Sequence, residues 1–186
     1  MMVIVPESTN IKPLEVKYPI IGWEVFTDGR MMGWKIIRLG GITERYKLFE
    51  DLLKGFDRED LNQLWSLVKE RFRVQDPTED KDKELWVQLK RIYEPDRGES
   101  MWRFQAQIED VSWKLFDMCG VHRVSTKDGI EIYMLVEKDY PLRSSVLTSM
   151  LYTKLRVEED SEMADLLVTK IFNLAEQRKI SSKRQL

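Results

Sequence analysis

The chain has 186 residues, of which 42% are hydrophobic and 33% are charged, and its formal net charge is −2. Domains average about 150 residues, so the length favours a single domain. The aromatic side chains supply enough apolar surface for a core, which argues against a disordered chain. A protein that binds nucleic acid with its whole surface is usually basic, so the charge excludes that class and leaves only local contacts with polyanions.

Cysteine content and hydropathy indicate where the protein works. Cys119 is the only cysteine, so no intramolecular disulfide can form, which is typical of a reducing compartment. No apolar run reaches the roughly 18 residues of a membrane span. The apolar start, residues 1–6, lacks a charged segment and a cleavage site, so we do not interpret it as a signal peptide. We expect an intracellular protein, cytoplasmic or nuclear, with no membrane contact.

The N-terminal part of the chain predicts a small sheet. Residues 1–19 carry three prolines and no sustained period, so we interpret them as an extended arm or linker. Strand-forming segments follow at 20–26, 34–39 and 42–47, and the turn pairs Asp28-Gly29 and Gly40-Gly41 separate them. This pattern predicts a three-stranded antiparallel meander.

Helices follow this meander. Residues 48–55 predict a short helix or turn, and Asp57 with Asp60 forms an acidic variant of the capping box at the start of the next helix. In residues 76–79, Asp76 is predicted to cap a further helix with Pro77 at its first position. The helical period predicts these buried residues on the two helices: Leu61, Leu64, Trp65, Val68 and Phe72, then Leu85, Trp86, Leu89, Ile92 and Tyr93.

The second half repeats the order of strands and helices. A short helix is predicted over 99–108, and strands over 111–118, 121–126 and 130–136. The last of these is nearly continuously apolar, which is typical of a central strand. Two helix faces are predicted after Pro141: Leu147, Met150, Leu151 and Leu155, then Met163, Leu166, Leu167, Ile171 and Leu174 after a start at Ser161. Residues 177–186 form a basic polar tail.

These elements predict an α+β fold in which two small antiparallel meanders, each followed by amphipathic helices, pack as one compact domain over residues 20–176. Its core is expected around Trp34, Trp65, Trp86 and Trp113. Residues 34–41 also align with residues 113–120, which suggests a degenerate repeat of 20–108 and 109–176. Chance is the alternative, because only the Trp-Lys pair and the final glycine are identical.

One pair of residues is a candidate for catalysis. Cys119 and His122 are three residues apart with Gly120 between them, and a thiolate nucleophile needs a nearby base. In an extended chain, however, the two side chains point to opposite faces. The alternative is a small buried thiol beside a turn, and we favour it because free cysteines are mostly buried. We therefore assign no catalytic residue.

Metal, cofactor and substrate motifs are not found in the sequence. Structural zinc needs about four Cys or His ligands, and this chain has two such residues. The densest acidic run, residues 79–84, alternates in sign as a solvated helix face does. The turn pairs Asp28-Gly29 and Gly40-Gly41 are isolated, so they form neither a phosphate-binding loop nor a dinucleotide fingerprint. We expect no metal, no cofactor and no small-molecule substrate.

The tail provides the candidate nucleic-acid contacts. Its cations are Arg178, Lys179, Lys183 and Arg184, and no acidic residue lies among them. They are able to neutralise phosphates. A solvated chain end is the alternative, since the tail has no aromatic ring on which bases stack.

Several segments occur together in a fixed order along most of the chain. They are VKYPII at 16–21, DREDL at 57–61 with Leu64 and Trp65, LW at 85–86 with Leu89 and Lys90, EPD at 94–96, WKL at 113–115, CGVH at 119–122, MLVEK at 134–138 and YPL at 140–142. The set resembles a segment of plant retrotransposon polyproteins of the copia and related types. The likeness covers about residues 16–176, and it implies an origin without functional residues to carry over. The polyprotein's protease, polymerase and zinc-knuckle motifs are not found here.

We therefore expect a non-enzymatic, retroelement-derived polyprotein domain that supports protein–protein or ribonucleoprotein assembly, with a protein partner or self-association and weak RNA contact. The alternative is an accessory nucleic-acid-binding module that acts through the basic tail. A cysteine-dependent enzyme is a distant third.

Overall fold

The first sheet contains three antiparallel strands in the order β1-β2-β3, so the predicted meander is confirmed. These strands span Ile20–Asp28, Met31–Arg38 and Thr43–Tyr46. Gly29 makes the first turn with a φ of 61°, a backbone conformation that glycine adopts without strain. The structure is a computed structural model that describes residues 17–108 and 110–185. Most of the predicted arm at 1–19 therefore lies outside the described residues.

Three helices follow the first sheet: α1 (Phe49–Gly55), α2 (Arg58–Val74) and α3 (Asp80–Tyr93). The capping box predicted for α2 is present. The backbone N–H of Asp60 donates to Asp57 Oδ1 at 2.8 Å, and the backbone N–H of Asp57 donates to Asp60 Oδ2 at 3.4 Å. All five predicted apolar residues of α2 are buried.

The predicted start of α3 is wrong. Asp76 and Pro77 do not begin the helix, which starts at Asp80 after Glu79, and the Glu79 side chain makes no capping hydrogen bond. Contacts with the first sheet fix the first turn instead. Trp34 Nε1 donates to the carbonyl of Lys81 at 3.0 Å, and Trp23 Nε1 donates to Asp82 Oδ1 at 3.0 Å. These partners are distant in the sequence, so local capping signals do not reveal them.

A 3₁₀ helix (Ser100–Gln107) leads to the second sheet, whose strand order is β6-β5-β4-β7. The strands are β4 (Val111–Phe116), β5 (Val121–Thr126), β6 (Glu131–Leu135) and the short β7 (Leu155–Arg156), which pairs parallel to β4. The prediction of a central third strand is wrong, because β6 lies at the sheet edge. Its sequence is apolar because both faces are covered, Tyr133 by one hydrophobic cluster and Met134 by another.

Two helices, α4 (Ser144–Thr153) and α5 (Glu162–Arg184), cover one face of the second sheet. The prediction that Leu155 lies on the α4 face is wrong, because this residue belongs to β7. Ser161 caps α5 as predicted, since its Oγ accepts a hydrogen bond from the backbone of Ala164 at 3.2 Å. Among the described residues, no helix combines the length and the apolar character that crossing a membrane requires.

The second sheet separates two hydrophobic clusters. One face, which includes Phe116 and Val121, packs with the first sheet and α1 to α3. The other face, which includes Leu115 and Val124, packs with α4 and α5. Of the four predicted core tryptophans, three are buried and Trp86 is partly buried. The molecule has the predicted α+β fold.

The two segments of the predicted repeat share local structure. Trp34 lies in β2 and Trp113 in β4, and both side chains are buried. Gly41 and Gly120 occupy aligned positions and both have positive φ values, 81° and 66°. However, β2 is the second strand of its meander whereas β4 is the first of its own, so the repeat stays a prediction.

Candidate interaction surfaces

The C-terminal cations belong to the last turns of α5. Arg178 is half-buried and donates to the carbonyl of Tyr140 at 3.2 Å, and burial lowers the pKa of its guanidinium. Lys179 pairs with Glu176 at 3.2 Å. Because successive helical residues are rotated by about 100°, Arg178, Lys179 and Arg184 point to different sides of α5. The predicted cations therefore do not form one continuous patch.

Arg178 lines a groove together with a second arginine. An open groove of about 540 Å³ lies between the start of α4 and the end of α5, and it contains Arg143 and Arg178. Its other lining residues are Pro141, Leu142, Ser144, Ser145, Ser181, Ser182 and Gln185. Guanidinium and hydroxyl groups donate hydrogen bonds to phosphate oxygens. Arg143 is not recognisable as a site residue from the sequence, because only the fold places it in the same groove as Arg178.

Cys119 and His122 have separate environments. The Cys119 side chain is buried in the cluster around the first sheet, and burial raises the pKa of its thiol to about 11. His122 Nδ1 accepts a hydrogen bond from Trp113 Nε1 at 3.0 Å, and Trp113 belongs to the other cluster. Burial, together with the nearby charge of Lys170, lowers the pKa of His122 to about 3. The raised pKa disfavours the thiolate that would act as the nucleophile, and the Nδ1 of His122 is hydrogen-bonded to Trp113. Both features disfavour nucleophilic catalysis by this pair.

Within residues 17–108 and 110–185, no three His, Cys, Asp or Glu side chains come together in a way that would hold a metal ion.

The outward surface of α5 is unexpectedly apolar. The helix buries one face with Ala164, Leu167, Ile171 and Ala175. It exposes five further large apolar side chains, namely Met163, Leu166, Val168, Phe172 and Ile180. The predictions of burial for Met163 and Leu166 are therefore wrong, because these two residues are 36% and 63% exposed. The sequence showed that both are apolar, but it did not show that the sheet covers only one side of the helix.

The middle of α5 also carries little charge. Between Asp165 and Glu176 the only charged residue is Lys170. Its ammonium group pairs with Asp139 at 3.1 Å and donates to the carbonyls of Val136 and Lys138. The exposed middle of the helix is therefore neutral.

Comparison of the chain with protein-family models, with curated proteins and with solved structures finds no match. Function is therefore inferred from the surfaces themselves.

Proposed function

We propose that the chain is a non-enzymatic, retroelement-derived polyprotein domain that supports assembly by binding protein through the outward face of α5. The observation that carries this proposal is that Leu166, Phe172 and Ile180 are 63%, 55% and 52% exposed on a helix that already buries a separate apolar face. The proposed origin rests on the ordered sequence segments that resemble retrotransposon polyproteins.

Exposure on α5 has a physical cost. A surface helix of a globular domain normally has one apolar stripe, which faces its own core. Leu166 and Phe172 lie outside that stripe and are 63% and 55% exposed. Apolar side chains that are grouped on one exposed element mark protein interaction sites, because a partner removes them from water.

Charge supports the same interpretation. The centre of a protein interface is depleted of charged residues, whereas its rim is polar. The middle of α5 is neutral apart from Lys170, which is engaged with Asp139. Charged residues stand at the two ends of the helix, at Glu162 and Asp165 and at Lys183 and Arg184. This distribution matches an apolar contact with a charged rim.

The groove with Arg143 and Arg178 favours a second candidate, an accessory nucleic-acid-binding module. Two arginines, together with Ser144 and Ser145, line it and supply groups that donate to phosphate oxygens, whereas the hydroxyls of Ser181 and Ser182 already donate to carbonyls of α5. This candidate ranks second because Lys179, Lys183 and Arg184 lie outside the groove, and the whole chain has a net charge of −2. Two neutralised phosphates give only a weak affinity at physiological salt.

Site-specific photocrosslinking in cells tests the leading function. A benzophenone amino acid replaces Phe172 in one variant and Val74 in a control variant, and Val74 is 84% exposed at the end of α2. We expect protein adducts from position 172 and none above background from position 74. Equal yields at the two positions, or adducts with nucleic acid alone, would contradict an assembly role for α5.

RNA titrations over a salt series test the second candidate. Arg143→Ala/Arg178→Ala is compared with Lys183→Ala/Arg184→Ala, which removes the same charge outside the groove. If the groove binds RNA, only the first variant loses binding, and the log–log salt slope of the wild type is near −1.4 for two phosphates on single strands. Tight binding that the first variant abolishes would make RNA binding the preferred function.

A further inference from the structure

The two ends of α5 carry charges of opposite sign. Glu162 and Asp165 lie in the first turn, and Lys183 and Arg184 lie in the last turn. All four residues are exposed, and none has an ion-pair partner within the part of the chain that the structure describes. This arrangement complements the helix dipole. It also means that each end of the helix attracts the opposite end of an identical helix.

Heptad spacing defines one line along the exposed side of α5. Leu166, Asn173 and Ile180 are separated by seven residues each, and all three are exposed. Seven residues make almost two helical turns, so the three side chains lie on one side of the helix. That side is opposite to the buried residues Ala164 and Ile171.

We propose that α5 pairs in an antiparallel arrangement with α5 of a second copy of this chain, with Asn173 at the two-fold axis. This inference rests on the proposed assembly function and names its partner. Leu166 and Ile180 lie on either side of Asn173, each about 10.5 Å away along the helix. Leu166 of one copy therefore meets Ile180 of the other at both ends, and the contact closes with two copies.

The charged ends fix the direction of pairing. In the antiparallel arrangement, the acidic end with Glu162 and Asp165 lies beside Lys183 and Arg184 of the second copy. A parallel arrangement places acid beside acid and base beside base, which is repulsive. At the centre, the amide of Asn173 faces the amide of its counterpart, and each side chain has both a donor and an acceptor. A single polar residue at such a position specifies register in coiled coils.

Sedimentation equilibrium over a range of concentrations tests the pairing. We expect the purified chain to reach twice its monomer mass of 22.2 kDa. Leu166→Glu and Ile180→Glu should each raise the dimer dissociation constant at least about tenfold, since both residues lie in the apolar contact. Val74→Glu makes the same change at an exposed apolar residue elsewhere and should leave the constant unchanged.

Disulfide trapping tests the direction. Under mild oxidation, Asn173→Cys should form a covalent dimer. Leu166→Cys and Ile180→Cys should cross-link efficiently only when the two variants are mixed, because position 166 faces position 180. Cross-linking of Leu166→Cys with itself would show a parallel pair and overturn the proposal. The native Cys119 is buried and serves as an internal background.

Charge reversal supplies an independent measurement. Glu162→Lys/Asp165→Lys has two basic ends and Lys183→Glu/Arg184→Glu has two acidic ends, so each variant alone should dimerise more weakly than the wild type. A mixture of the two should recover a heterodimer, and recovery shows that both variants are folded. A quadruple variant with both changes should dimerise again by itself. No recovery in the mixture would overturn the proposal.

The outcomes separate this inference from the assembly function. A chain that stays monomeric at all concentrations, yet gives protein adducts from position 172 in cells, overturns self-pairing and leaves a different protein partner. A monomer without such adducts overturns both. A dimer that Leu166→Glu does not weaken overturns the α5 interface.

Discussion

At the scale of single residues, Arg38 and Asp60 show how a buried charge is tolerated. Both side chains are almost completely buried, and two hydrogen bonds of 2.8 and 3.1 Å join them. Burial by itself would raise the pKa of Asp60. Hydrogen bonds from Arg38 and Lys17, together with their positive charges, outweigh this effect and lower the pKa below its usual value. The pair links β2 to the first turn of α2.

Asp60→Asn should therefore destabilise the protein, because it removes the buried counter-charge of Arg38 and leaves only the partly exposed Glu44 as its acidic partner. Breaking a buried ion pair costs about 3–5 kcal/mol, and with Glu44 still in place we expect a loss of no more than that in the free energy of unfolding at pH 7. Since the folded pKa of Asp60 is lowered, its contribution is complete above the unfolded pKa and is lost as the pH falls through the folded pKa. The difference between variant and wild type should therefore shrink below about pH 4.

Urea unfolding at several pH values measures this difference. Glu24→Gln is the control, because Glu24 forms an exposed ion pair with Lys35 and should contribute no more than about 1 kcal/mol. Equal small effects for the two variants would show that the buried pair does not stabilise the fold.

Cys119 is the second residue for which burial decides the chemistry. Its pKa of about 11 makes the thiolate about a hundredfold rarer at pH 7 than for an ordinary thiol. We expect alkylation by a neutral reagent at pH 7 to be at least about a hundredfold slower in the folded protein than in urea. A cysteine placed at the exposed Thr43 is the control and should react rapidly in both states. Fast labelling of Cys119 in the folded chain would revive the cysteine-dependent enzyme.

Residue types alone identified part of the candidate sites. The four C-terminal cations and the proximity of Cys119 to His122 are visible in the sequence. The groove that Arg143 and Arg178 share, and the hydrogen bond from Trp113 to His122, are not visible, because they depend on helix and strand packing. The sequence also did not show which side of α5 the sheet covers.

At the scale of elements, the first sheet contains a position that only glycine fills. A Cβ atom on Gly33 would lie 2.3 Å from the carbonyl oxygen of Tyr46 and 2.8 Å from the ring of Phe26. The ring of Phe26 packs over Gly33 and also contacts the guanidinium of Arg45, at 5.1 Å. Gly33 therefore allows β3 and an aromatic side chain to approach β2 closely.

Gly33→Ala should lower the free energy of unfolding by about 1–3 kcal/mol, because a methyl group must displace the neighbouring strand. Gly22→Ala is a matched control in the adjacent strand, since no atom lies within 4 Å of its added Cβ. That control should change stability by less than about 1 kcal/mol. Urea denaturation compares the two variants, and equal stabilities would contradict the close approach at Gly33.

Local signals predicted elements well where the signal and the structure are both local. The capping box of α2 involves residues three positions apart, and it formed as predicted. The start of α3 depends on Trp23 and Trp34, which precede the helix by more than 40 residues, so its local capping signal was misleading. The apolar run of β6 indicated burial on both faces correctly, but burial alone does not distinguish a central strand from a covered edge strand.

At the scale of the whole molecule, the second sheet and Arg58 join the two halves of the chain. Adjacent residues of β4 point into different clusters, Leu115 toward α4 and α5 and Phe116 toward the first half. Arg58, at the start of α2, donates to the carbonyls of Cys119 and Gly120 and pairs with Glu137. The sequence predicted two meanders with helices, but it contained no local signal for these long-range contacts.

A sheet shared by two clusters should make unfolding cooperative across the whole chain. Leu64 lies in the first cluster and Leu147 in the second, and both are fully buried. Leu64→Ala and Leu147→Ala should each lower the free energy of unfolding by about 2–5 kcal/mol. In both variants, tryptophan fluorescence and far-ultraviolet circular dichroism should report the same single transition in urea. Hydrogen exchange in α2 should accelerate in Leu147→Ala as well, although that mutation lies in the other cluster.

Val74→Ala is the control, because Val74 is exposed, and it should change the free energy of unfolding by less than about 0.5 kcal/mol. Two separate transitions, or unchanged exchange in α2 of Leu147→Ala, would mean that the halves unfold independently and that the contacts through β4 and Arg58 do not couple them.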